Sequence, residues 1–316
     1  MRLAPRARSL RLAALVVLIA SIPQTTNEPS GASSRSFQMA LLTYPYLTGF
    51  SWRDTAAHVD VGVFVSDNPG MQPEGPSVMI LHRSDSAFLS NVAVDWSRIL
   101  AVLIDEPYVT ALADDDRTNP ACARAVDPRR GTVRDIFNSI TSAASTVHAT
   151  APRTRVWVNF HQWEVAWMRD SSCPAVLNDA SIDVVSLDKY EVDFANLEDD
   201  YAWFASAWPR QQVALVPATA YRSGGDSAEE VAARLQGYFD YANGMNQRCD
   251  MELGRVGRTG NYDGCRVWIV AGWSAEPAFP YDGGWYSLFW RGSSAGPPSG
   301  APILDRWTRE INRAPR

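Results

Sequence analysis

Eight short runs rich in Val, Ile and Leu recur along the second to last stretches of this 316-residue chain, each bounded by Gly, Pro, Asp or Asn. They span residues 38–44, 59–65, 78–82, 99–106, 155–161, 182–190, 212–219 and 266–273. Runs this short and apolar read as strands buried on both faces, which is the pattern of a parallel sheet. Helical signals separate the later runs. Residues 132–148 place Val133, Ile136, Phe137, Ile140, Ala144 and Val147 on one helical face. A second helix begins at Asp226 as N-cap, with acids in its first turn, and continues toward Tyr241.

Alternation of strand and helix implies right-handed parallel crossovers, and eight such units close most naturally into a single-domain (β/α)8 TIM barrel. The first half is irregular. Residues 66–77 carry Pro69, Gly70, Pro73, Gly75 and Pro76, which leaves no room for a helix between the second and third strands. A doubly wound open sheet is the alternative, but no G-x-G-x-x-G follows an early strand.

The barrel occupies residues 37–316, with no repeat and no linker dividing it. Ahead of it, Arg2, Arg6 and Arg8 precede an apolar stretch from Leu10 to Ile22, the order of a secretory signal over residues 1–25. No clean A-x-A marks its cleavage, so an uncleaved anchor stays open. Residues 26–36 continue a leader rich in Ser, Thr, Pro and Gly, expected to be disordered. A secreted or periplasmic, monomeric protein without a stable membrane span is the expectation.

Export makes the four cysteines an even disulfide set rather than a metal site. Of the three formal pairings, position favours Cys249 with Cys265, bracketing a Gly-rich stretch, and Cys122 with Cys173, tying two strand-exit loops. A formal charge of −6 gives no basic footprint for nucleic acid. No H-x-H or H-E-x-x-H occurs and Asp114-Asp-Asp116 reads as a solvated loop, so neither metal nor cofactor is expected. A serine hydrolase lacks its G-x-S-x-G elbow.

In a parallel barrel the chemistry gathers where strands end. The fourth run, Ala101-Val-Leu-Ile-Asp-Glu-Pro-Tyr108, stops at two adjacent carboxylates, Asp105 and Glu106. Other ends carry Tyr44, Ser66 with Asp67, His82 with Arg83, Asn159 with His161, Asp188 with Tyr190, Thr219 and Trp273. Side chains alternate along a strand, so Asn159 and His161 share one face, and Ser186, Asp188 and Tyr190 another. These polar sets are assigned to the barrel interior and mouth, which turns Lys189 outward.

Neighbouring carboxylates disfavour double ionisation, so one holds a proton while the other stays charged, as general acid/base chemistry requires. The plainer alternative for Asp105 is a helix cap or a pair with Arg83. Of the 12 tryptophans, Trp52, Trp163, Trp167, Trp273, Trp285 and Trp290 fall near expected mouths, where aromatic faces suit sugar rings.

Ile104-Asp-Glu-Pro107 resembles the Asn-Glu-Pro-like motif that ends the fourth strand in (β/α)8 glycoside hydrolases, with Asp in place of Asn, and Ala271-Gly-Trp273 resembles their eighth-strand platform. The resemblance implies hydrolysis of O-glycosidic bonds in a carbohydrate, with Glu106 as proton donor and Trp273 under a ring. Tyr44, His82, Arg83, Asn159, His161 and Tyr190 would then contact substrate. That superfamily usually ends its seventh strand in a glutamate nucleophile, whereas Ala214-Leu-Val-Pro-Ala-Thr219 has no acid. Asp188 is the first choice for the second carboxylate, with Asp105, Glu164 and Glu276 behind it. Two rivals remain: a non-catalytic carbohydrate-binding barrel, and a Schiff-base lyase using Lys189, the only lysine in the chain.

Overall fold

The computed structural model describes residues 37–42, 61–67, 69–81, 89–108, 133–170, 179–188, 198–218, 220–222, 227–255, 266–273 and 285–287. The strands are β1 (Gln38–Leu42), β2 (Gly62–Val65), β3 (Ser77–Leu81), β4 (Ile99–Asp105), β5 (Arg155–His161), β6 (Val184–Asp188), β7 (Gln212–Val216), β8 (Ala220–Arg222), β9 (Val267–Trp273) and β10 (Trp285–Ser287). The helices are α1 (Val133–Thr150), α2 (Gln162–Asp170), α3 (Glu198–Ala207) and α4 (Ala228–Arg255).

Eight strands form one sheet in the order β1-β9-β7-β6-β5-β4-β3-β2, every neighbouring pair parallel. The sheet curls into an α/β barrel, and a parallel bridge between Ala40 and Val61 joins its two end strands. Each of the eight runs read from the sequence is therefore a strand of this sheet. The shared cause is that their alternate residues are buried on opposite faces. Val63, Val65, Val78, Ile80, Ala101, Leu103, Trp157, Val184, Ala214 and Val216 belong to an inner cluster. Phe64, Met79, Leu81, Val102, Ile104, Val158, Phe160, Val185, Leu187 and Leu215 pack outward against the helices.

Helix α1 buries Ile136, Ile140, Ala144 and Val147, the stripe expected from spacing. Between β2 and β3 the described residues make a 3-10 turn at Pro69–Met71 and no α-helix, as the prolines and glycines dictate. A side-chain clamp stands where a crossover helix is missing. The Gln72 amide donates to the Asp95 carbonyl at 2.8 Å and accepts the Asp95 N–H at 2.7 Å. Asp95 in turn caps the turn Trp96–Arg98, accepting from the Ser97 hydroxyl and backbone, and these bonds hold its carboxyl below the usual carboxylate range.

The start of α4 differs from the expected N-cap at Asp226, which lies outside the described residues. Ser227 accepts the Glu230 N–H at 3.2 Å, and Glu230 accepts the Ser227 N–H at 2.6 Å. This reciprocal capping box makes Ser227 the cap, since its carbonyl also takes the helical bond from Val231. The helix runs on past Tyr241 to Arg255 because Asn246 has tertiary work. Its amide accepts the Val267 N–H at 2.7 Å and donates to the Val267 carbonyl at 2.9 Å. Strand β1 begins its pairing with β9 only at Gln38 opposite Ile269, so the amide stands in on that edge for a β1 partner of Val267, whose other edge is paired with Val213 of β7. Asn246→Ala orphans both backbone groups and is expected to cost on the order of 2–4 kcal/mol. A fall in the urea midpoint at unchanged m-value checks this; an unchanged midpoint contradicts it.

Burial also sets the alkaline limit of the fold. Tyr108 and Tyr201 are fully buried, and desolvation raises their phenols well above the ordinary value of 10.0, with Glu164 adding to the shift at Tyr108 and Tyr238 at Tyr201. Desolvation raises Tyr238 as well. A folded-state value above the unfolded one means that this stability is fully present below about pH 10 and is lost above it. Phenolate absorbance from these residues is expected to appear only together with loss of circular dichroism. Reversible ionisation with the fold intact would contradict the burial.

Candidate active site at the strand ends

The inner parity of the sheet carries directly into its polar mouth. Asp105, two residues beyond the inner Leu103, is in register with Asn159 on β5, and Asn159 with Ser186 on β6. One step further along, His161 is in register with Asp188, and Asp188 with Val216. Asn159 and Ser186 are buried and Asp188 is 5% exposed, so apolar walls surround these polar groups. The expected inward assignment of Asn159, His161, Ser186 and Asp188 agrees with this register.

Hydrogen bonds join the set across three strands. The Trp157 indole donates to Ser186 Oγ at 2.7 Å, the Ser186 hydroxyl donates to Asn159 Oδ1 at 2.6 Å, and Asn159 Nδ2 donates to Asp105 Oδ1 at 2.8 Å. Asp105 is thus tied to β5 through Asn159.

Glu106 follows with a different backbone. Its N–H continues the ladder to the Asn159 carbonyl at 2.9 Å, yet its φ of 39° is the one positive value at a non-glycine residue among the described residues. Left-handed backbone at a side chain of this size costs about 1–3 kcal/mol and persists where surroundings hold it. The turn breaks the alternation of the strand at Glu106.

The clamp on this turn is Glu164. On the first turn of α2 and 1% exposed, it accepts the Tyr108 N–H at Oε1, 2.7 Å, and the His161 N–H at Oε2, 2.8 Å. One carboxylate therefore fastens the exit of β4 to the exit of β5. Glu164, a reserve candidate for the second acid, has both oxygens on backbone amides and so ties the two strand exits together. The i to i+3 spacing from His161 to Glu164 is a helix-start signal that marks this role.

Strand β7 ends at Val216 and continues through Pro217 and Ala218 without a carboxylate. Beyond it, β8 pairs antiparallel with β10, setting Tyr221 opposite Tyr286 and Arg222 opposite Trp285. Segments following β7 and β9 thereby meet near the same end of the sheet. Three-residue strands so far apart in the chain leave no local sequence signal, and this ribbon was not anticipated. Helices α2 and α3 were not singled out either.

Trp273 is the last residue of β9, in register with Leu42. Ser66 donates to Asp67 at 3.3 Å after β2. Tyr44, His82, Arg83, Lys189, Tyr190, Thr219 and Glu276 lie outside the described residues. So do Cys122, Cys173 and Cys265, and with them the predicted pairing; Cys249 is buried in α4 and is not a free thiol. No group of three metal-ligating side chains occurs among the described residues. None of their helices is long and apolar enough to cross a membrane.

No protein-family profile and no curated protein sequence matches the chain. Among solved structures it is similar to the GH53 catalytic domain of Ignisphaera aggregans, at 11% identity and TM-score 0.42 over 78% of this chain and 87% of that one. It is similar to the virulence factor SghA from Agrobacterium tumefaciens, at 9% identity and TM-score 0.43 over 70% and 74%. TsXylA, an intracellular xylanase from Thermoanaerobacterium saccharolyticum, matches at 11% identity and TM-score 0.41 over 82% and 94%. Scores below 0.5 leave the architecture to rest on the strand order itself.

Proposed function

We infer that this chain is a glycosidase, a full (β/α)8 barrel that hydrolyses O-glycosidic bonds of an oligo- or polysaccharide at the exits of β4 to β6. One observation carries the reading. Asp105 on β4 and Asp188 on β6 share the inner face of the sheet, with Asn159 and His161 of the intervening strand β5 between them and Glu106 at the rim on a strained backbone. Glu106 donates its proton to the glycosidic oxygen, and Asp188 attacks the anomeric carbon or activates water. Asp105 positions and tunes, Asn159 and His161 contact hydroxyls, and Trp273 underlies a ring. Leader residues 1–25 fit export, so the substrate is met outside the cytoplasm as a monomeric enzyme's polysaccharide.

A second reading, a barrel that binds carbohydrate without cleaving it, is favoured by the missing carboxylate on β7. Turnover and binding measured side by side on a glycan panel separate the two. The expected result is reducing-end release by the wild type, and a loss of about 10²-fold or more in Asp188→Asn with binding retained. Tight binding with no release of product would overturn the hydrolase reading in favour of the binding one.

A further inference from the structure

The bonds joining Trp157, Ser186, Asn159 and Asp105 have a direction that their chemistry fixes. An indole N–H can only donate, so Ser186 Oγ must accept it at 2.7 Å. The single hydroxyl proton of Ser186 then goes onward to Asn159 Oδ1 at 2.6 Å. That commitment places the amide oxygen toward Ser186 and the amide N–H2 toward Asp105, where Oδ1 lies 2.8 Å away. With the amide reversed, its oxygen would face a carboxylate oxygen, and the two could bond only through a proton on Asp105. Asp105 Oδ1 therefore accepts a hydrogen bond from the amide, which favours the charged form of its carboxyl group.

The donor end is rigid. Trp157 is fully buried and meets Trp268 edge to face at 6.1 Å, and the Arg155 guanidinium lies 4.9 Å from the Trp268 ring centre. Ser186 and Asn159 are buried with it, so water does not compete for these bonds. Three linked polar groups beside an inner layer built otherwise of apolar side chains call for a role beyond packing.

We propose that Trp157, Ser186 and Asn159 form a one-way hydrogen-bond relay that presents the Asn159 amide N–H2 to Asp105 and so holds Asp105 in its charged, proton-accepting state. The relay rests on the hydrolase reading for its purpose, since a charge kept on Asp105 disfavours ionisation of the neighbouring Glu106, as a general acid needs. Its electrostatic half stands independently of any substrate. Trp157 and Ser186 are positioning residues that act through Asn159. The other titratable described groups at this end of β4, β5, β6 and α2 are Glu106, His161, Glu164, Asp188 and Tyr108. The exit of β3, with His82 and Arg83, lies outside the described residues.

Carboxyl titration of protein carrying 13C-labelled aspartate tests this without any glycan, with the Asp105 signal identified by its loss in Asp105→Asn. Ser186→Ala is expected to shift the Asp105 midpoint to higher pH, because a hydrogen bond to the charged form is weakened. Trp157→Phe should move it the same way, and Ser186→Thr, which keeps the hydroxyl, should restore the wild-type midpoint. Thermal melts confirm which variants fold; if Ser186→Ala does not, Trp157→Phe decides. An unmoved midpoint in a folded variant overturns the relay. A moved midpoint in a protein that cleaves no glycan upholds the relay and sinks the hydrolase reading instead.

Discussion

Glu106→Gln is expected to lower kcat on natural glycans by about 10²–10⁴-fold, the range for removing a general acid, while the melting temperature holds or rises. The activity loss follows because an amide cannot protonate a leaving oxygen. The stability forecast follows from the backbone. Glu106 bears a φ of 39°, and its N–H bond to the Asn159 carbonyl and the Glu164 bond to the Tyr108 N–H two residues on are backbone interactions that glutamine keeps. Two neighbouring acids at the end of one strand also repel when both are ionised, a penalty that glutamine removes. Unchanged turnover in the variant would take Glu106 out of the mechanism.

Glu164→Leu is expected to be the most destabilising single change in the mouth. Its two oxygens accept backbone N–H groups from Tyr108 and His161 in a setting that is 1% exposed. Hydrogen bonds to a charged acceptor contribute about 1.5–3 kcal/mol each, so losing both costs on the order of 3–6 kcal/mol. That is a large share of the roughly 5–15 kcal/mol that stabilises a typical domain. Glu164→Gln keeps one acceptor oxygen but presents an N–H2 to the other amide, and should fall between wild type and Leu. Urea unfolding gives the order; a leucine variant as stable as the glutamine one would show that the clamp contributes packing alone. Loss of the clamp should also reduce kcat without touching substrate, because it ties the exit of β4 to that of β5.

Strands were legible in this chain because each inner and outer position is apolar, which makes a buried parallel strand a continuous run. The inward set was legible for the same reason: a period of two carries Leu103 to Asp105, Trp157 to Asn159 and His161, and Val184 to Ser186 and Asp188. What lay hidden is side chain-to-backbone bonding over long sequence separations. The Gln72, Asn246 and Glu164 clamps each complete a ladder or loop whose broken partner is visible only once the strands are placed. The reversal of Glu106 is likewise a product of its surroundings, since nothing in Asp-Glu-Pro demands a positive φ. Ser227 as cap, with Glu230 three residues on, was readable locally, and the competing Asp226 beside it obscured it.

The central claim is that Glu106 supplies the proton to the leaving group while Asp188 acts at the anomeric centre. The most direct measurement compares Glu106→Gln with Asp188→Asn on a glycoside whose leaving group needs no protonation, recording kcat/KM against pH. The account predicts that Glu106→Gln regains most of its activity on that substrate and loses the alkaline limb of its profile, whereas Asp188→Asn stays inactive on both substrate types. Equal loss on both substrates in Glu106→Gln, with the alkaline limb intact, would contradict it.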